Sequence, residues 1–261
     1  MMRFSMLVFG LVSIAASAAE PTDAAPAAAL TAGQIIEKNV AARGGLQAWR
    51  AATTLTLSGQ LDAGGKKNVE LPFVMQMKRP HKSRLEINFQ DQKAVQVYDG
   101  AQGWKVRPFL GRDEVVPFTP AEAKAAASWA ELDGPLIDYE KKGTKVEAAG
   151  IEQIEGRPTY KLKLTLSNGE VRNVWIDAKN FLEAKIDGEP RKMDGKMRKV
   201  AVYFRDYKRE NGLTVPRVLE TVVEGMKPSH KMTIERVAIS TPLDDALFVR
   251  PQLALVKTST Q

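Results

Sequence analysis

The side chains that most often do chemistry are sparse in this sequence. Of 261 residues none is Cys and two are His, at positions 81 and 230. Thiolate catalysis, a cysteine zinc site and covalent haem attachment all need ligands or nucleophiles that such a chain lacks. His81 sits in Arg79-Pro80-His81-Lys82 and His230 in Ser229-His230-Lys231, contexts that read as solvated strand edges. A Ser-His-Asp triad would have to use one of them, and no G-x-S-x-G turn is present to expose a serine. Neither a G-x-G-x-x-G nor a Walker-type phosphate loop occurs; Gly64-Gly65-Lys66-Lys67 has the wrong spacing and reads as a hairpin turn. Carboxylates are plentiful and a facing pair needs no motif, so carboxylate-based hydrolysis stays open. The most visible pair, Asp244-Asp245, precedes Ala246-Leu247-Phe248 and suits the cap of a terminal turn. No metal and no cofactor is expected.

The apolar side chains are more informative. Met75, Met77 and Met232 stand with Phe73, Phe89 and Ile234 on strand faces, and methionine repacks readily around ligands of varying shape. Ordinary core is the commoner fate of such residues. Trp104 and Trp129 are either packed or placed at a cavity mouth, where Lys and Arg could receive an anionic head group.

The elements that must position these residues start after an export signal. Met1-Met2-Arg3, an apolar run from Phe4 to Ala16 and the small-x-small Ala16-Ser17-Ala18 form a cleavable signal peptide over residues 1–18. The run is shorter than the roughly 20 residues of a membrane span. Residues 19–29, rich in Ala and Pro, read as a flexible leader, 30–251 as one domain and 252–261 as a tail. Thr31-Ala32-Gly33-Gln34 has the form of a capping box, and Gly44-Gly45 stops the helix that it opens, Thr31 to Arg43; Leu46 to Arg50 adds a short turn. Period-two alternation then runs through Leu55, Leu57 and Leu61, through Val69 to Met77, and through Leu85, Ile87 and Phe89. Thr119-Pro120-Ala121-Glu122 opens a helix to Trp129, Asp133-Gly134-Pro135 breaks it, and a short second helix is expected after the break. Strands resume over 146–148, 160–166, 171–176, 181–186, 200–207, 215–223 and 232–239.

This amounts to roughly a dozen antiparallel strands, each with one apolar face and with few helices to cover them. Such a sheet must curl on itself, and it either fills its interior with side chains or leaves an apolar cavity. The formal net charge, +7 for the whole chain and +6 without the signal peptide because only Arg3 is lost, is scattered rather than gathered on one face. That speaks against nucleic acid and for a weak attraction to anionic membrane surfaces.

A series of short motifs then follows in order: Tyr98-Asp99-Gly100-Ala101-Gln102-Gly103-Trp104, a helical insertion, Val174-Trp175-Ile176-Asp177 leading to Phe181-Leu182, Asp206-Tyr207 before Gly212 to Pro216, and Leu243 to Phe248. In that order they resemble the periplasmic outer-membrane lipoprotein carrier and sorting family, with its LolA-like fold. The resemblance implies a mainly β fold, a half-barrel of about eleven antiparallel strands closed by a few α-helices. It also implies an apolar interior for acyl chains, no cofactor and no catalysis, with residues 120–139 in the place of a lid.

The expected function is therefore periplasmic binding and transport of a lipid or of lipoprotein acyl chains by a monomer that meets envelope donor and acceptor proteins transiently. The expected ligand contacts are Leu71, Phe73, Met75, Leu85, Ile87, Phe89, Trp104, Trp129, Leu132, Leu162 and Leu164. A regulatory module that senses mislocalised lipoproteins and a carboxylate hydrolase are the alternatives.

Overall fold

Thr31 starts the first helix as its pattern predicts. Its hydroxyl accepts from the Gln34 amide at 3.3 Å while the Gln34 side chain accepts from the Thr31 amide at 2.9 Å, so two amides with no partner inside the helix are satisfied. Helix α1 spans Ala32–Ala42 and α2 spans Leu46–Ala51. Between them Gly44 has φ +111, and a Cβ there would stand 2.2 Å from the Gly212 carbonyl oxygen, so only glycine lets the two turns touch. The computed structural model describes residues 30–62, 69–227 and 229–252. The expected signal peptide, the leader, the turn at Gly64-Gly65 and the tail beyond residue 252 lie outside the described residues. Among those described, no helix is long and apolar enough to cross a membrane.

The strands are β1 (Thr54–Asp62), β2 (Glu70–Lys78), β3 (Lys82–Phe89), β4 (Gln92–Tyr98), β5 (Gly103–Arg107) and β6 (Arg112–Pro117), then after helix α3 (Pro120–Trp129) β7 (Lys145–Ile154), β8 (Arg157–Thr165), β9 (Val171–Asp177), β10 (Glu183–Met193), β11 (Lys196–Arg205), β12 (Lys208–Glu210), β13 (Leu213–Val215), β14 (Val218–Val223) and β15 (His230–Ile239). Thirteen of them, all but the β12–β13 hairpin, form one curved antiparallel sheet in the order β6-β5-β4-β3-β2-β1-β15-β14-β11-β10-β9-β8-β7. The architecture is the expected half-barrel, with thirteen strands in place of about eleven. The last strand pairs with the first, and that seam joins two meanders into one sheet. Its edges, β6 and β7, are consecutive in the chain.

Two expectations need correction. The strand read over 215–223 is broken at Pro216, which has no amide to give to a ladder; Val215 ends the small hairpin and Val218 begins β14. The short helix expected after Pro135 is absent, and residues 131–144 form successive turns. Asp133 holds them in that shape, taking Arg79 Nη2 and Lys142 Nζ on its two oxygens, each at 2.7 Å. Gly134 (φ +74) and Asp138 (φ +52) adopt left-handed backbone conformations, which a right-handed helix cannot run through.

The register sorts the two faces. On the concave side Leu57 opposes Met75, which opposes Leu85, and Gly59 opposes Phe73, which opposes Ile87. Trp49, Leu55, Leu57, Phe73, Met77, Leu132, Ile137, Leu213, Val215 and Ile234 form the main core there. The convex side carries smaller clusters. Val95, Val97 and Val106 are covered by Phe248 from the turn Asp245–Phe248, whose cap is Asp244, as its sequence suggested.

The β1–β15 seam contains a bulge between Ser58 and Gly59, where a Cβ on Gly59 would come within 1.9 Å of the Thr233 carbonyl oxygen. Gly59→Ala should therefore cost about 2–3 kcal/mol by forcing the backbones apart. Gly33→Ala, with nothing within 4 Å of the added carbon, should instead stabilise by about 0.5 kcal/mol. Urea unfolding midpoints of the two variants check both signs.

Candidate functional site

Because β6 and β7 are the two edges, the chain between them has to travel from one side of the sheet to the other, and it does so across the concave face. Residues 119–129 make the first part of the crossing. Thr119 caps α3 with a second capping box, closed by Glu122, and Pro120 sits in its first turn. No residue of α3 is buried. The helix is tied down by charge instead: Lys105 on β5 to Glu122, Lys124 to Glu170 at 2.6 Å and to Glu189 at 3.2 Å, and Arg172 Nη1 donating to Ser128 Oγ. Burial pushes the Glu122 carboxyl up, but hydrogen bonds from Lys105 and Thr119 outweigh this and hold it below the usual range. After Trp129 the crossing dives inward, burying Ala130, Leu132, Leu136 and Ile137.

Between this crossing segment and the sheet lies a cavity of about 390 Å³. Its sheet wall is apolar: Leu55 and Leu57 of β1, Met75 and Met77 of β2, Ile234 of β15, Leu219 of β14, Val200, Val202 and Phe204 of β11, Ile186 of β10 and Val174 of β9. The roof is Ala127, Trp129, Leu132 and Pro135. Lining residues on β10 run from Glu183 to Arg191, about 25 Å of strand at roughly 3.3 Å per residue. The site is thus a slot rather than a sphere.

The two ends of the slot differ. At the Glu183 end a polar cluster closes it. Arg43 lies 3.2 Å from Glu183, donates to the Asp133 carbonyl at 2.9 Å and stacks over Trp49, 4.2 Å from the ring centre. The Tyr207 hydroxyl reaches the Glu183 carbonyl at 3.0 Å and its carboxylate at 3.2 Å. Tyr207 as a residue is half-buried, but its hydroxyl end is enclosed. At the other end Lys124, Trp129, Asn168 and Arg191 are exposed and frame a mouth. Arg172 is half-buried just inside, paired with Glu170 and Glu189; burial lowers its affinity for a proton, and the nearby acids offset this only in part.

The acids along the slot are each engaged. Glu183 holds Arg43, Glu131 holds Lys142 at 3.1 Å, and Asp187 accepts from the Asn173 amide and side chain. Among the described residues no three metal-binding side chains come together. His81 is exposed at a turn and His230 is exposed at the start of β15.

Of the expected contacts, Met75, Trp129 and Leu132 line the slot. Leu71, Phe73, Leu85, Ile87 and Phe89 lie on the same concave face, further toward β3, where Phe73 is core and Leu85 and Ile87 pack on it. Leu162 and Leu164 are fully buried on β8, next to the lining residues Val174 and Arg172. Trp104 stands on the opposite, convex face, because it pairs with Val97 under Phe248. The sequence reading did not single out Leu57, Val202, Phe204, Leu219 or the Arg43–Glu183–Tyr207 cluster for the site. The alternation of Val200, Val202 and Phe204 was visible, but the pairing of β15 with β1, which brings the C-terminal strands to the centre, was not.

No protein-family model matches the chain, and no curated protein matches it. Solved structures do. A LolA superfamily protein from Nitrosomonas europaea superposes with a TM-score of 0.53 at 15% identity, over 85% of this chain and 98% of the other. A domain from Vibrio parahaemolyticus named for outer-membrane lipoprotein sorting gives 0.55 at 12% identity, over 82% and 94%. A DUF1329 family protein from Desulfovibrio piger gives 0.57 at 13% identity, over 82% and 95%. At such identities the likeness establishes the fold, which is LolA-like.

The closed end yields a pH prediction. Desolvation, and then the charge of Glu183, push the Tyr207 hydroxyl well above the usual tyrosine value. The folded protein keeps that proton where an unfolded chain releases it, so the contribution is whole below about pH 10 and is lost as pH rises further. Tyr207→Phe should lower stability near neutrality by about 1 kcal/mol through its lost hydrogen bonds. The gap to the parent should narrow in urea titrations taken from about pH 9 to 11. An unchanged gap would show that the hydroxyl titrates freely.

Proposed function

We propose that the protein binds a lipid, its acyl chain lying along the slot under α3 and its head group at the mouth beside Lys124, Arg172 and Arg191, and that it carries this ligand within the cell envelope without chemical change. The observation that carries the reading is the slot itself: long, mainly apolar on its sheet wall, roofed by a segment held through ion pairs, and open at one end, where Lys124, Arg172 and Arg191 stand. Each methylene transferred from water contributes about 0.8 kcal/mol. Ten of them would contribute about 8 kcal/mol before the cost of ordering the chain. Methionines 75 and 77 give the wall the adaptability to fit chains of different length.

The names of the fold neighbours support an envelope role. One belongs to the LolA superfamily and another is named for outer-membrane lipoprotein sorting. The export signal read over residues 1–18 agrees with that compartment, and the folded carrier is taken as residues 30–251. The carried group is a lipid or the acyl part of a lipoprotein, received from one envelope partner and passed to another. The proposed contacts are the lining residues Leu57, Met75, Trp129, Leu132, Val202 and Leu219. Phe73, Leu85, Ile87, Leu162 and Leu164 act as the packed wall behind them.

Ala127 is half-buried, lines the roof and sits on a helix with no buried residue, so a larger side chain there fills the slot without entering the core. Ala127→Trp should bind a fluorescent fatty acid at least tenfold more weakly than the parent, with an unchanged circular dichroism spectrum. Lipid extracted from the parent purified from its native envelope should be absent from the variant. A parent that is free of lipid and does not bind the probe would overturn the reading.

A further inference from the structure

Most cations of the sheet have an acid beside them. At the end where β2 and β10 meet their turns with β3 and β9, Arg79 pairs with Asp133, Lys82 with Asp245, Arg157 with Asp177, and Arg205 with Glu155. The other end of the same strands is different. The β10–β11 hairpin tip carries Arg191, Lys192, Lys196, Arg198 and Lys199, and the turn from β14 to β15 adds Lys227. None of these six pairs with a carboxylate among the described residues, although the carboxylates Asp194 and Glu224 lie nearby. Glu224 is occupied by the Lys199 backbone amide. The two turns are neighbours, since Val200 opposes Val223 and the Glu224 amide bonds to the Lys199 carbonyl.

A second observation falls on the same tip. Met197, at the start of β11, is 62% exposed and Met226, on the turn from β14 to β15, is 41% exposed. Large apolar side chains usually leave water when they can, and here two stand outward in a field of unneutralised cations. The tip also continues the site: Arg191 frames the slot mouth while Lys192 and Lys196 extend beyond it along the same hairpin.

We propose that this end of the half-barrel is a docking surface for a bilayer rich in anionic lipid, with the six cations over the head groups and Met197 and Met226 entering the interface between them. Bilayers select this combination: exposed basic side chains strengthen binding to an anionic surface about fivefold each, and short apolar side chains add contact with the outer acyl region. Docking in this orientation brings the slot mouth to the membrane. The proposal stands on charge and exposure alone and does not depend on what the slot holds.

Vesicle flotation tests it, using the mature protein with phosphatidylcholine vesicles that contain or lack phosphatidylglycerol as a third of the lipid. The parent should float only with the anionic vesicles and should be released by raised salt. Lys192→Glu, Lys196→Glu and Lys227→Glu combined lie outside the slot lining and should weaken flotation at least thirtyfold. Met197→Ser with Met226→Ser should weaken it severalfold and leave the salt dependence in place. Equal flotation with neutral vesicles, no flotation with either, or a triple variant that floats like the parent would overturn the proposal. Fatty-acid probe binding, measured on the same triple variant, separates this outcome from failure of the carrier reading, because the two readouts use different residues.

Discussion

The two free edges of the sheet are consecutive in the chain, and everything distinctive about the molecule follows from that. β15 pairs with β1, so the last strand closes a seam at the middle of the sheet and β6 and β7 are left at its margins. The segment between them must cross the concave face. A roof over the hollow is therefore a consequence of strand order, and the cavity beneath it needs no separate element to close it.

The crossing segment is held in two ways that differ physically. Its second half is anchored by burial and by Asp133, whose carboxylate takes both Arg79 and Lys142 in a nearly dry setting. Its first half, α3, buries nothing and is held by ion pairs at the margin of solvent, each worth little by itself and weakened by salt. The roof is thus firm where it meets the core and loosely fixed over the mouth.

The closed end works in the opposite sense. Arg43, Glu183, Tyr207 and Trp49 satisfy one another with little water present, so the end of the slot is polar in composition yet offers few free groups to a ligand. Between that floor and the cationic tip the wall is mainly aliphatic, methionine and Phe204, with Thr221 and Asp187 as polar interruptions. The slot has a direction, apolar inside and charged at the mouth, which is the direction of an amphiphile.

Much of this was legible in the residues. The capping boxes at Thr31 and Thr119, the glycine stop after α1, the alternation of Leu55, Leu57, Phe73, Met75 and Met77, and the capping role of Asp244 all follow from local rules, and all are found. Sequence also determined that most strands turn one apolar face inward, because a period of two puts alternate side chains on opposite faces; the smaller convex clusters under Phe248 and around Trp175 needed the tertiary structure. What it could not decide was which apolar residues face a ligand and which face each other. Trp104 shows why: it belongs to the convex face because its register neighbour Val97 does, and register is a property of two strands rather than one. Leu162 and Leu164 alternate as cleanly as any residues in the chain, yet they are core, since the slot lies over strands nearer the seam. Pairing of β15 with β1 joins positions as far apart as Leu55 and Ile239, and no local signal encodes it. The apolar faces were determined by composition and periodicity; the position of the slot, its polar floor and its cationic mouth were decided only when tertiary pairing set the order of the strands.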